Sequence, residues 1–179
     1  MRLAGFVLIA AACAVSPALA QQVGTYTGTM DDGSPVTIVV GTDPNNSKLE
    51  VKTISFDVDM LCQKTMETLS QVGIGLSDGN DIADDGTFSY SSSNFFDIEL
   101  VTSMNFIGTK TIKGKGGANL AAFIPALGHT TLSPKVQACV SPNQHFTAKF
   151  SGADVSRALP AGTMSIRGPN GTATLRQGN

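Results

Sequence analysis

Two histidines, a scatter of aspartates and two late cysteines are the residues of this 179-residue chain that could do chemistry. A nucleophilic site needs a hydroxyl or thiol, an imidazole and an orienting carboxylate within hydrogen-bond reach. His129 lies in a stretch rich in proline and glycine, and His145 alternates with Phe146, Ala148 and Phe150, which places it on the polar side of a strand. No Cys-x-x-Cys or His-x-x-x-His spacing offers a zinc pair. Both histidines therefore read as exposed polar residues, and no catalytic residue and no cofactor is expected.

The carboxylates offer two further chemistries. Asp78, Asn80, Asp81, Asp84 and Asp85 gather hard oxygen donors into eight residues, which suits Ca²⁺. The EF-hand frame fails, because Ile82 stands at its fifth position and Ala83 at its sixth. Two adjacent polar turns is the plainer reading, and the five residues stand as the candidate calcium loop. Asp57 and Asp59 share one side of a strand; paired carboxylates serve glycoside hydrolysis, but i, i+2 neighbours more commonly form a solvated face that guards a sheet edge. The glycine-rich stretch 108–117 carries Lys110, Lys113 and Lys115, the one local basic patch, and lacks the frame of a phosphate-binding loop. Thr25, Thr27 and Thr29 make a short hydroxyl row of the kind sugar- or ice-binding sheets use, but a row of three is more commonly an ordinary outward strand face.

The compartment decides how the cysteines are read. Residues 1–20 open with Arg2, run through a short apolar core and end in Ala18-Leu19-Ala20. This is the pattern of a secretory signal peptide cleaved after Ala20. The apolar run is too short to span a bilayer, and no later segment is long enough. A lipid anchor on Cys13 is the rival reading, and the alanines before that residue do not favour it. Cleavage removes Cys13 and leaves Cys62 and Cys139, an even pair in an oxidising compartment, hence an expected disulfide. The protein is expected to be secreted or periplasmic, with no membrane-spanning segment in the mature chain. Its net charge of −2, one unit more acidic without Arg2, gives no case for a nucleic-acid partner; a cell-envelope or glycan partner is the expectation.

Hydrophobic alternation with period two runs through most of the mature chain, and about ten strands are expected. Tyr26 and Met30 share a face, as do Val36, Ile38 and Val40. Leu49 and Val51 are out of phase with Ile54, Phe56 and Val58, so a bulge is placed near Lys52-Thr53. Residues 63–69 carry Met66 and Leu69 at helical spacing and read as a helical turn or loop, with a strand over 71–76. Residues 95–106 read as one long strand with a bend or hairpin near Ser103. Asp31-Asp32-Gly33-Ser34 and Pro169-Asn170-Gly171 are hairpin turns. The fold class is all-β: an antiparallel sandwich of about ten strands, or a small barrel. Residues 21–179 form a single domain, in which 151–179 add a C-terminal hairpin.

The order of these pieces resembles a group of uncharacterised secreted bacterial β-domains. Its marks are Gly24-Thr25-Tyr26-Thr27-Gly28, Ile54-Ser55-Phe56-Asp57-Val58, Cys62, Ile82 leading to Gly86-Thr87-Phe88-Ser89, Gly114-Lys115-Gly116-Gly117-Ala118, Cys139 and Phe146-Thr147-Ala148. The chain departs by lacking a tryptophan in the last strand and by adding residues 151–179. The resemblance implies a β-sandwich of the cell envelope or medium and no particular activity. The functional expectation is a non-catalytic binding or envelope-associated domain. A lipocalin-like carrier, with Phe96, Ile98, Leu100, Met104 and Phe106 lining a cavity, is one alternative; a hydrolase is the other.

Overall fold

A computed structural model describes residues 21–62, 66–95, 98–120, 139–140, 143–168 and 171–176. The described residues are all-β, in eleven strands: β1 (Gly24–Met30), β2 (Pro35–Thr42), β3 (Leu49–Cys62), β4 (Met66–Gly75), β5 (Thr87–Phe95), β6 (Ile98–Ile107), β7 (Thr111–Leu120), β8 (Cys139–Val140), β9 (Gln144–Gly152), β10 (Thr163–Gly168) and β11 (Gly171–Arg176). They form one hydrogen-bonded sheet in the order β11-β10-β4-β3-β2-β1-β9-β7-β6-β5, every pairing antiparallel, with β8 bridging β3 and β7. No helix among the described residues is long and apolar enough to cross a membrane.

Alternation along each strand becomes rows across the sheet, because opposed residues share a face. One core row runs Met164, Ile74, Ile54, Ile38, Tyr26, Phe150. A second runs Phe56, Val36, Gly28, Ala148, Ile112, Phe106, and a third Met30, Phe146, Gly114, Met104, Phe88. Their side chains make one hydrophobic core. Tyr26 stands at its centre, fully buried, edge-on to Phe106 at 5.9 Å and to Phe150 at 5.4 Å between ring centroids. Its hydroxyl donates to the Gln22 carbonyl at 2.9 Å, and burial pushes its pKa up.

Two routes join β3 to β7. Through β2, β1 and β9 there are four inter-strand steps, about 19 Å of sheet; through β8 there are two, about 10 Å. β2 covers β3 only up to Phe56, and β8 meets it at Leu61 and Cys62, so the two strands converge past the tip of the β1–β2 hairpin. The sheet therefore curls with the core on its concave side. A Cβ on Gly116 of β7 would lie 3.5 Å from the Phe56 ring of β3, and 3.7 Å from the Met30 methyl. Gly114 is the β7 residue that this packing requires, under the Phe146 ring, and Gly116 faces Phe56 with room for a Cβ, while Lys113 and Lys115 alternate outward and are exposed.

Several details depart from sequence expectation. The predicted bulge is present: Val39 opposes Thr53 and Val40 opposes Val51, leaving Lys52 as the extra residue. The expected helical turn over 63–69 is instead, from Met66 on, the start of β4. β4 carries its own register shift, with Val72 opposite Phe56 but Leu69 opposite Val58; Met66 and Leu69 both lie on the regularly paired side of it, opposite Leu61 and Val58, so their spacing of three puts them on opposite faces of the strand. No bend occurs at Ser103; β6 runs through it, and the β5–β6 connection falls at 96–97. The stretch weighed as a phosphate loop is strand β7. The terminal hairpin β10–β11 adds to the edge of β4 rather than standing apart, and β9 continues to Gly152.

Packing at the two glycines is separable. A Cβ at Gly114 would lie 2.5 Å from the Ser103 carbonyl oxygen and 2.6 Å from the Phe146 ring, whereas Gly116 leaves ordinary contact distances. Gly114→Val is expected to cost about 3 kcal/mol or prevent folding, and Gly116→Ala less than about 1 kcal/mol, in denaturant titrations. Equal losses for the two variants would contradict this account of the curl.

Candidate functional site: an outer polar face and a buried carboxylate cluster

The convex side of the sheet is polar because the alternate residues of each strand face it. One outer row reads Thr174, Ser165, Gly73, Ser55, Thr37, Thr27, Lys149, Thr111. The sequence-level threonine row is therefore one column of a hydroxyl-rich surface that spans eight strands. Two further rows read Thr87, Asn105, Lys113, Thr147, Thr29 and Ser89, Ser103, Lys115, His145.

Part of this face is covered. Residues 153–162 cross it between β9 and β10. Thr25 is buried beneath them and donates its hydroxyl to the Asp154 carbonyl, while the Leu159 amide donates to Thr53 Oγ1 at 2.8 Å. Gly75 permits the approach: a Cβ there would lie 2.2 Å from the Pro160 oxygen. The Asp154 carboxylate accepts the Ser156 amide at 2.7 Å and the Ser156 hydroxyl, which holds its pKa down. A cleft of about 360 Å³ remains beside this strap, lined by Thr37, Thr53, Ser55, Arg157, Leu159 and Ser165 among others.

The other half of the face is open. A shallow trough of about 480 Å³ crosses β5, β6, β7 and β9 there. The row of Lys115 and His145 forms one wall, and the row of Lys113 and Thr147 the other. The floor is the backbone of Phe88, Met104, Gly114 and Phe146, which belong to the third core row. Lys113, Lys115, His145 and Lys149 are all exposed. Strand pairing has joined the basic patch read from sequence in β7 to two basic residues of β9. Asp31 and Asp32 border one end, where the His145 amide donates to Asp31 Oδ2 at 3.3 Å and Gln144 Nε2 to Asp32 Oδ2 at 2.7 Å.

The candidate calcium loop does not converge. The Asp78 carboxylate accepts the Lys52 ammonium at 3.0 Å, Asn80 Nδ2 donates to the Ser77 carbonyl, and Asp85 Oδ1 accepts both the amide and the hydroxyl of Thr87. Asp84 is exposed. Asp81 alone turns inward, held by a backbone bridge to Glu50 and by Asn46 Nδ2 at 2.7 Å from its Oδ2. There it meets Asp43 and Glu50, and the carboxylate oxygens of the three lie within 4.8 Å of one another. Asp43 and Glu50 are buried. Among the described residues, these three are the carboxylates gathered closely enough to offer a hard cation a common donor set.

A positive charge is already present beside them. Lys52, the bulge residue, forms ion pairs with Glu50 and Asp78. Burial works against its charge, but the hydrogen bonds to Glu50 and Asp78 outweigh it and raise its pKa above the ordinary lysine value. Glu50 Oε2 also accepts the Gly79 amide at 3.2 Å. The bulge thus turns a strand lysine back over a buried glutamate.

Asp57, Asp59 and the Phe96, Ile98 and Leu100 side chains lie outside the described residues, as do His129 and residues 1–20. The backbone of Cys62 and Cys139 is described, and the β3–β8 register sets them directly opposite one another. Comparison of the chain with family models, curated proteins and solved structures gives no match.

Lys52→Met leaves the Glu50 carboxylate buried without its counter-charge, and is expected to cost roughly 3–5 kcal/mol in chemical denaturation at pH 7. Adding Glu50→Gln should recover part of that loss. Because the folded-state pKa of Lys52 is raised, its contribution is complete at neutral pH and disappears only as pH climbs above about 10. A Lys52→Met protein as stable as the parent would show that the pair carries no weight.

Proposed function

We propose that the protein is a non-catalytic, exported β-domain that binds a polyhydroxylated ligand, a glycan of the cell envelope, on the convex face of its sheet. The observation that carries this reading is the trough across β5, β6, β7 and β9, walled by two registered rows of hydroxyl, amide and ammonium side chains. Such groups supply the directional donors and acceptors that sugar hydroxyls satisfy. The apolar-carrier reading gains no comparable support, since Phe88, Met104 and Phe106 are packed into the core. The finer architecture we infer is a sandwich made by one sheet curling onto itself. The approach of Phe56 to Gly116 across the concave side supports it.

Export rests on the leader ending at Ala20, and a Cys62–Cys139 disulfide belongs to the same proposal. Directly opposed residues of an antiparallel pair have Cα atoms about 4.5–5.5 Å apart, inside the range a disulfide spans. The bond would tie β8, only two residues long, to β3. Non-reducing mass analysis of the exported protein should find no free thiol; two free thiols would refute the bond. By the chain-entropy account its reduction should cost about 4 kcal/mol.

The binding reading is tested by titrating the mature protein with neutral and acidic polysaccharides in calorimetry. Saturable heats with at least one are expected, and weakening by Ser103→Ala/Asn105→Ala. A full set of silent titrations would end it.

A further inference from the structure

We infer that the trough selects an anionic glycan, a chain bearing carboxylate or sulfate groups, and that Lys113 and Lys115 in its walls, with Lys149 beside them on β9, are the charge-recognising residues. The inference rests on the proposed binding face and names the ligand class for it. Register carries the argument. Lys115 lies directly opposite His145, Lys113 opposite Thr147, and Lys149 opposite Thr111. Residues two apart on paired strands are diagonal neighbours roughly 7–8 Å apart, so Lys113 sits diagonally between His145 and Lys149. Three ammonium groups and an imidazole thus share one small area of a chain whose net charge is −2.

These lysines are not spent on internal pairing. Among the described residues the ion pairs are those of Lys52 with Glu50 and Asp78, on the far side of the sheet order. The acids bordering the trough, Asp31 and Asp32, are engaged with the His145 amide and with Gln144 at the β9 end. Exposed like charges at this spacing repel one another, and an anionic ligand removes that repulsion on binding.

The surroundings separate a glycan from other polyanions. Single-stranded nucleic acid is held by aromatic platforms, and a membrane surface by inserted apolar side chains. The exposed large apolar residues among those described are Val23, Ile107 and Val155, and no aromatic ring is exposed with them. The trough walls instead hold Thr87, Ser89, Ser103, Asn105 and Thr147 beside the lysines. Hydroxyl and amide groups between cations match a ligand that carries hydroxyls between its anions. The trough also crosses three inter-strand spacings, about 14 Å, which suits a linear chain laid across the strands.

The test uses the mature full-length protein, with polygalacturonate, its methyl ester, single-stranded DNA and phosphatidylglycerol vesicles as probes. Methylation keeps the sugar backbone and removes the charge. Polygalacturonate should bind at least tenfold more tightly than the ester, with affinity falling as salt rises. Lys113→Gln/Lys115→Gln should lose about tenfold, and Lys149→Gln a smaller factor, while Lys48→Gln, a remote exposed lysine, should change nothing. These exposed substitutions are expected to leave thermal unfolding unchanged, which separates lost binding from lost folding. Equal binding of acid and ester, unmoved by the lysine variants, would overturn the anionic inference and leave the glycan-binding face standing. Binding of neither polysaccharide would remove both. Tighter binding to DNA or to vesicles than to polygalacturonate would assign the lysines to another polyanion and overturn the inference.

Discussion

Closure around the tip of the β1–β2 hairpin is the constraint on which the rest of the structure depends. Three strands separate β3 from β7 at one level and a single two-residue strand at the next. A flat sheet cannot satisfy both spacings, so the sheet bends, and the bend decides which face becomes the core. The cost falls on the concave side of β7, where a side chain at Gly114 would collide. The residues there are Gly114 and Gly116, and the space they leave is filled from other strands by Phe146, Phe56 and Met30. A glycine-rich segment is thereby a packing device for large residues elsewhere.

The outer face follows from the same geometry. With Phe88, Met104, Phe106, Ile112 and Phe146 drawn to the concave side, the convex side over the trough keeps what alternates with them, which is hydroxyls, an amide, lysines and His145. The trough floor is bare backbone because the row beneath it is a core row. Over β1 to β4 the strap of residues 153–162 uses the same polar groups for internal hydrogen bonds, with Thr25 and Thr53 consumed by Asp154 and Leu159. The two halves of one face have different fates: the first is structural, the second is free for a ligand.

Much of this was legible in the sequence, and the unread part has a physical cause. Period-two alternation tells which residues share a face, and it placed Tyr26, Val36, Ile38, Phe146 and Ala148 in the core and His145 outside. The phase change between Val51 and Ile54 located the bulge at Lys52. Alternation does not tell which strand lies beside which. Lys113 and Lys149 are far apart in the chain, and only the β7–β9 pairing makes them one patch. Asp81 was assigned to a loop with its sequence neighbours, whereas its partners Asp43 and Glu50 come from the β2–β3 connection and β3. Over the start of β4, Met66 and Leu69 pair regularly with β3 and so lie on opposite faces, and two apolar residues three apart do not by themselves tell a strand from a helical turn.

Charge placement links these observations. The chain is mildly acidic overall, yet its described acids sit mainly in turns and in the Asp43, Glu50, Asp81 cluster, where Lys52, the Asn46 side chain and backbone amides answer all but Asp81 Oδ1. The lysines of β7 and β9 stand on a strand face without such partners. Dispersed opposite charges would have produced weak surface pairs of little consequence. Segregating them instead gives the convex face a positive field over its open half, against a background that repels polyanions elsewhere. A field of that shape contributes more to orientation and approach than to final affinity. The hydroxyls and amides between the lysines are then left to set the fit, and the rigidity that fixes their spacing comes from the core row lying directly beneath the trough.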